Sequence, residues 1–218
     1  TIESAYKSSI ATIWKDRVAK HQEYTAQIPF SDFKVFDFIC QNVPKNSQLQ
    51  VSNSSAIRYL QLFDLDKSIQ VFCNRGTSGI DGSTSTAIGA ALATNLPTIL
   101  ITGDISFLYD SNALWNNYIP KNFKIILLNN SGGGIFRILP GHQETETFNR
   151  YFETSHQLNA SHLAKMYGFD YFEANDEPTL QQQYKSFLNQ NEKPSILEIF
   201  TPEKENNGIL LEFFRGLK

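Results

Sequence analysis

The sequence lacks the features that would tie it to a nucleic acid, a membrane or an export route. Its 19 Lys and Arg against 22 Asp and Glu leave a formal net charge of only −3 over 218 residues. No global field therefore draws it to nucleic acid or an anionic bilayer, and any anion site must be local. No apolar run approaches the ~20 residues that span a bilayer, and the N-terminus has no charged-then-apolar signal pattern. There are two cysteines, Cys40 and Cys73, set in FDFICQNV and IQVFCNRG. In such surroundings a thiol serves as a small buried hydrophobe rather than half of a disulfide, and a reducing cytoplasm is the expected location. The histidines His21, His142, His156 and His162 are scattered without metal-ligand spacing. Neither G-x-x-x-x-G-K-S/T nor G-x-G-x-x-G after a strand is present, which argues against a common nucleotide-binding module. Internal repeats, low-complexity segments and an initiator methionine are also missing; a chain headed by Thr1 reads as a processed product or a piece of something longer.

What is there is an alternation of two periodicities. Ile2, Ala5, Tyr6, Ile10, Ile13, Trp14 and Val18 recur at spacings of mostly three and four, predicting a helix from Ile2 to Ala26 that needs a surface to lie against. Pro29 closes it, Ser31 reads as the N-cap of a second helix carrying Phe33, Phe36, Ile39, Cys40 and Val43, and Pro44 ends that one. Residues 1–30 are thus expected to be a linker helix, and 31–218 the domain proper. Beyond Pro44, β-rich runs (QLQVS, SIQVFCN, PTILITGD, FKIILLNN, DYFEA, SILEIF) alternate with helical ones (SSAIRYLQLF, STSTAIGAALATN, SFLYDSNALWNNY, SHLAKMYGF, TLQQQYKSFL). Strands as continuously apolar as TILIT and KIILLN are buried on both faces, so the fold class is α/β: a doubly wound, mostly parallel sheet with helices on both faces. Ligands bind such sheets at the carboxyl ends of the strands, in the loops after Ser52, Asn74, Thr102 and Asn129. The stretch from Gly141 to Ser161 has no clear period and reads as a lid or binding loop.

Two of those strand ends carry hard oxygen donors. Gly103-Asp104 closes TILIT and Asn129-Asn130 closes KIILLNN, so both sets can converge on one point. Asp104 offers a carboxylate, Asn130 an amide oxygen, and Gly132, lacking a side chain, a backbone carbonyl. An oxygen-only set suits Mg²⁺ or Ca²⁺ rather than zinc, and Mg²⁺ (or Mn²⁺ in its place) is expected here, since Mg²⁺ usually completes its octahedron with waters and substrate phosphates. The plainer reading is a helix-capping Asp and an Asn-Asn turn. Against it stand two glycine-rich loops that let backbone approach a phosphate: Gly76, Gly79 and Gly82, leading into a helix near Ser83, and Gly132 to Gly134.

This pairing of Gly-Asp with Asn-Asn resembles the cofactor motif of thiamine-diphosphate enzymes, although Ile105 stands where the family often has a glycine. The resemblance implies Asp104, Asn130 and Gly132 as metal ligands anchoring the diphosphate, and it places Gly79, Gly103, Ile105, Ser106 and Gly133 at the cofactor. The longer strings SNSSAIR, NRGTSGIDG, GDISFLYDSNAL and NNSGGGIF resemble a carboligating branch of the family that serves menaquinone biosynthesis. On that likeness Ser54, Arg58 and Arg75 meet substrate carboxylates, with Ser54 also at the cofactor. Ile80 supports the bent cofactor, and Ile135 and Phe136 lie near the reacting centre. The arginines fit on physical grounds too, since guanidinium groups bind carboxylates bidentately. The substrates implied are 2-oxoglutarate and isochorismate, joined after decarboxylation. In the family the activating glutamate lies in a separate N-terminal domain of a partner subunit, so no catalytic residue is expected here and the chain alone should be inert. A homodimer or homotetramer of the full-length protein is implied. An acetohydroxyacid synthase or 2-oxo-acid decarboxylase is the competitor within the family, and a noncatalytic phosphate-binding module the competitor outside it. Two carboxylate clamps favour the carboligating branch.

Overall fold

A computed structural model describes residues 5–217. Its sheet is built from β1 (Gln48–Val51), β2 (Gln70–Cys73), β3 (Thr98–Gly103), β4 (Lys124–Asn129), β5 (Asp170–Ala174) and β6 (Ser195–Phe200), all parallel, in the order β2-β1-β3-β4-β6-β5. The four inner strands are almost wholly buried, while β2 and β5 at the edges are largely not. Successive side chains point to opposite faces, which gives two cores. Ile99, Ile101, Ile126, Leu128, Leu197 and Ile199 pack under α2 (Asp32–Asn42), α3 (Ser55–Leu60), α7 (Glu177–Asn189) and α8 (Asn206–Gly216). Leu100, Ile125, Leu127 and Ile196 pack under α4 (Ser83–Leu92), α5 (Asp104–Tyr109) and α6 (Ser161–Tyr167).

The first helix, α1, spans Ala5–Gln27, with Ile2 outside the described residues. Its C-terminal half lies on the domain: His21 lies against Phe33, Phe63 and Phe213, and the Tyr24 hydroxyl donates to Ile209 O at 2.5 Å. Ile10, Ile13 and Trp14 stay exposed. Ser31 does stand at the N-cap of α2, yet its hydroxyl bonds Pro29 O. The first free N–H of that helix, on Asp32, is taken by Asn206 Oδ1 at 2.8 Å.

Other details depart from the sequence expectation. The helix expected over SFLYDSNALWNNY breaks into α5 and a 3-10 turn, Ser111–Trp115, because Asp110 turns back to meet Ser85 on α4. The segment after Pro140 contains a π-helical turn, Phe148–Glu153, and α8 was not foreseen. Among the described residues no helix is long and apolar enough to cross a membrane.

The chain runs outward from β1 to β2, then reverses through β3 toward β4, β6 and β5. This reversal opens a crevice between the carboxyl ends of β1 and β3, the place where doubly wound sheets receive ligands.

Candidate functional site

A cavity of about 530 Å³ occupies that crevice, a size within the roughly 300–1,000 Å³ of small-molecule sites. Asp104 opens α5 where β3 ends and is buried despite its charge. Its Oδ1 accepts from Ile105 N at 2.7 Å, and its Oδ2 accepts from Gly132 N at 2.9 Å, which pins the loop after β4 to the end of β3. Asn130, just past β4, donates from Nδ2 to Asp32 Oδ2 at 2.9 Å, leaving its Oδ1 as the end available to a ligand. Gly132 has φ 155°, and a Cβ there would stand 2.8 Å from Glu153 O, so only glycine fits. Asp104, Asn130 and Gly132, which can offer a carboxylate, an amide oxygen and a backbone carbonyl, are thus gathered on the cavity wall. That donor set suits a hard cation whose remaining places go to water and phosphate. Among the described residues no three His, Cys, Asp or Glu side chains form a metal cluster.

All the expected site residues except Arg75 line this cavity. Ser54 comes from the N-cap of α3 and Arg58 from its last turn, Gly79 and Ile80 from the loop before α4, and Gly103, Asp104, Ile105 and Ser106 from the β3–α5 junction. Asn130, Gly132, Gly133, Ile135 and Phe136 come from the loop after β4. Ser106 Oγ donates to Ile80 O at 2.5 Å, tying two of these loops together. Ser54 holds φ 76° and ψ −131°, a conformation costly for a residue with a side chain and typical of functional sites. Arg58 is exposed, its Nη1 donating to Ser54 O at 2.8 Å. Arg75 stands outside the lining, exposed, and reaches Asn53, which does line it, at 3.2 Å.

The glycine loops act differently from the expectation. The N–H groups of Gly132, Gly133 and Gly134 are taken by Asp104, by Glu153 O at 2.6 Å and by Gly132 O at 3.1 Å. The start of α4, expected to attract a phosphate, lies outside the cavity wall and receives the Asp110 carboxylate, to which Ser85 N and Oγ donate at 2.7 and 2.9 Å. A helix end needs acceptors for its unpaired N–H groups, and here the chain provides its own. The glycines after β4 serve close approach to the π-helical turn.

Several groups around the site gave no sequence signal. Asp32, at the first position of α2, is buried on the cavity wall, accepts from Thr201 Oγ1 at 2.6 Å, and has its carboxyl pushed up to about 6 by burial. Its side-chain partners lie 98 and 169 residues away in sequence. Arg137 and Glu153, both buried, form a two-pronged ion pair that raises the guanidinium pKa and joins the 3-10 turn Gly134–Arg137 to the π-helical turn. That turn brings Tyr151 and Phe152 to the cavity wall. His156 Nε2 stands 3.3 Å from Asp104 Oδ2, and this carboxylate raises the imidazole pKa.

The model of the C-terminal TPP binding domain of thiamine pyrophosphate enzymes matches residues 53–199. The 2-succinyl-5-enolpyruvyl-6-hydroxy-3-cyclohexene-1-carboxylate synthase of Flavobacterium johnsoniae is 62% identical over 216 residues, 99% of this chain and 39% of that protein. The synthase of the same name from Flavobacterium psychrophilum is 65% identical over 217 residues, 100% of this chain and 39% of its own length. That of Bacteroides fragilis is 41% identical over 194 residues, 88% and 35% respectively. The chain therefore spans under two fifths of the length of these curated relatives.

Proposed function

The chain belongs to the thiamine pyrophosphate enzyme family, as its C-terminal TPP binding domain, and from that premise we propose that it is the diphosphate- and metal-binding part of a 2-succinyl-5-enolpyruvyl-6-hydroxy-3-cyclohexene-1-carboxylate synthase of menaquinone biosynthesis. The observation that carries the reading is the bond from Gly132 N to Asp104 Oδ2, which brings two of the three proposed ligands together on the wall of a cofactor-sized cavity with Asn130 beside them. Asp104, Asn130 Oδ1 and the Gly132 carbonyl would hold Mg²⁺ or Mn²⁺, and the metal would anchor the diphosphate.

When bound, thiamine diphosphate supplies a nucleophilic carbon for a 2-oxo acid and a sink for the electrons released by decarboxylation. The chain's own residues bind and orient. Ile80 supports the cofactor from the loop before α4, while Ile135 and Phe136 provide apolar wall near the reacting centre. Ser54, Arg58 and Arg75 receive the carboxylates of 2-oxoglutarate and isochorismate. For Arg75, which lies outside the lining beside Asn53, this requires movement toward the cavity. A small monocarboxylate would not call for this many cations, which favours the dicarboxylate reading over an acetohydroxyacid synthase.

The group that activates the cofactor is assigned to another part of the full-length protein, so the chain by itself is inert. Residues 1–30 form the linker from a preceding domain and 31–218 the cofactor domain of a cytoplasmic homodimer or homotetramer, in which Cys40 and Cys73 remain free thiols. The test is carbon dioxide release from 2-oxoglutarate in the presence of isochorismate, assayed on the full-length protein. Arg58→Ala should raise KM for a dicarboxylate by roughly tenfold or more, the loss of one charge-assisted hydrogen bond. An unchanged KM would remove Arg58 from the substrate site.

A further inference from the structure

Asp32 is a charged residue placed where charge is costly. It is 3% exposed, and none of the ion pairs among the described residues includes it. A buried carboxylate without a cation is poorly solvated, and an apolar residue at the same place would usually be tolerated better. Its surroundings hold it in one orientation. Asn206 Oδ1 accepts from its backbone N–H at 2.8 Å, and Thr201 Oγ1 donates to its Oδ1 at 2.6 Å. Asn206 itself is fixed through Nδ2 to Pro202 O at 2.8 Å. The remaining oxygen, Oδ2, receives the Asn130 Nδ2 hydrogen at 2.9 Å. The carboxylate thus bridges the end of β6 and the first residue past β4, and lies on the wall of the cavity that also contains Asp104.

We propose that Asp32 is a positioning residue of the metal site: by accepting from Asn130 Nδ2 it turns the Asn130 Oδ1 toward the cation, without ligating the cation itself. The inference rests on the reading of Asp104, Asn130 and Gly132 as the ligands. An asparagine side chain is free to rotate and can present either its oxygen or its nitrogen, and only the oxygen binds a hard cation. A fixed acceptor behind the nitrogen removes that ambiguity and the entropy that goes with it. Outer partners of this kind typically matter to metal affinity nearly as much as the ligands do.

The test is Mn²⁺ binding to the full-length protein in the presence of thiamine diphosphate, read from the electron paramagnetic resonance signal of the free ion. Asp32→Ala should weaken Mn²⁺ binding by about ten- to a hundredfold. Asp32→Asn, whose Oδ1 can still accept from Asn130, should stay close to the unsubstituted protein. Unchanged affinity in Asp32→Ala overturns the assignment. So does a loss in Asp32→Asn as severe as in Asp32→Ala, since the charge rather than the acceptor would then be what matters. Asp104→Ala separates this inference from the reading beneath it. If that variant binds Mn²⁺ normally, the metal site itself is wrong; if it loses binding while Asp32→Ala keeps it, only the positioning role falls. Should Asp32→Ala fail to fold, the Asn130 side-chain amide of the unsubstituted protein decides. Its Nδ2 protons, followed by nuclear magnetic resonance, should exchange slowly with solvent, and fast exchange overturns the proposal.

Discussion

The site depends on a few residues whose tolerance to change is narrow. Gly132 combines a positive φ with a Cβ position 2.8 Å from Glu153 O, whereas at Gly133 the nearest atoms lie at 3.3 Å and φ is ordinary. Gly132→Ala should therefore destabilise the fold by about 1–3 kcal/mol and displace the loop that carries Asn130, with Gly133→Ala milder on both counts. Urea unfolding of the two variants checks this, and equal stabilities would mean that the loop after β4 yields to the added methyl. That Asp104, Asn130 and Gly132 come together was legible because strand ends of a parallel sheet can converge. Asp32 was not, since no local pattern marks a residue whose side-chain partners sit just past β4 and just past β6. Glu153 was hidden in the stretch without period, and Arg137, which precedes that stretch, carried no local sign of its partner 16 residues on.

Strands were the most legible elements, because runs such as TILIT and KIILLN carry burial on both faces in their composition. Helix α8 was missed: it opens on Asn206-Asn207-Gly208, poor helix formers, and at its start Asn206 accepts from Asp32 N and donates to Pro202 O, tertiary bonds that local propensity does not encode. At α1 the expected helix forms, but Ile10, Ile13 and Trp14 of its stripe are exposed, and the helix is anchored instead by His21 and Tyr24, which the stripe did not include. Its anchoring end carries a pH dependence. Burial among Phe33, Phe63 and Phe213 lowers the His21 pKa from 6.5, with Asp37 and Asp64 partly opposing. The unfolded chain then takes up the proton first on acidification. The contribution of neutral His21 is accordingly complete above pH 6.5 and is lost as pH falls below it. His21→Phe should flatten that part of the stability profile measured by urea unfolding from about pH 7.5 to about pH 5.5. A profile equally steep in the variant would place the titrating group elsewhere.

At the scale of the molecule, the parallel doubly wound class followed from alternating strand and helix patterns, but the order β2-β1-β3-β4-β6-β5 did not, because strand pairing is a tertiary choice that periodicity does not encode. That order is what puts the ends of β1, β3 and β4 around one cavity, and so turns separate sequence motifs into one site. The cavity is bounded on one side by the π-helical turn, held by the buried Arg137–Glu153 pair, and on the other by the loop of Gly79 and Ile80, held by Ser106. The proposed function therefore turns on metal-dependent capture of the cofactor. Calorimetric titration with thiamine diphosphate, with and without Mg²⁺, on the protein and on Asp104→Ala, tests it most directly. Binding that requires Mg²⁺ and disappears in Asp104→Ala is the predicted result; binding of equal strength with and without the metal, unaffected by the substitution, would contradict it.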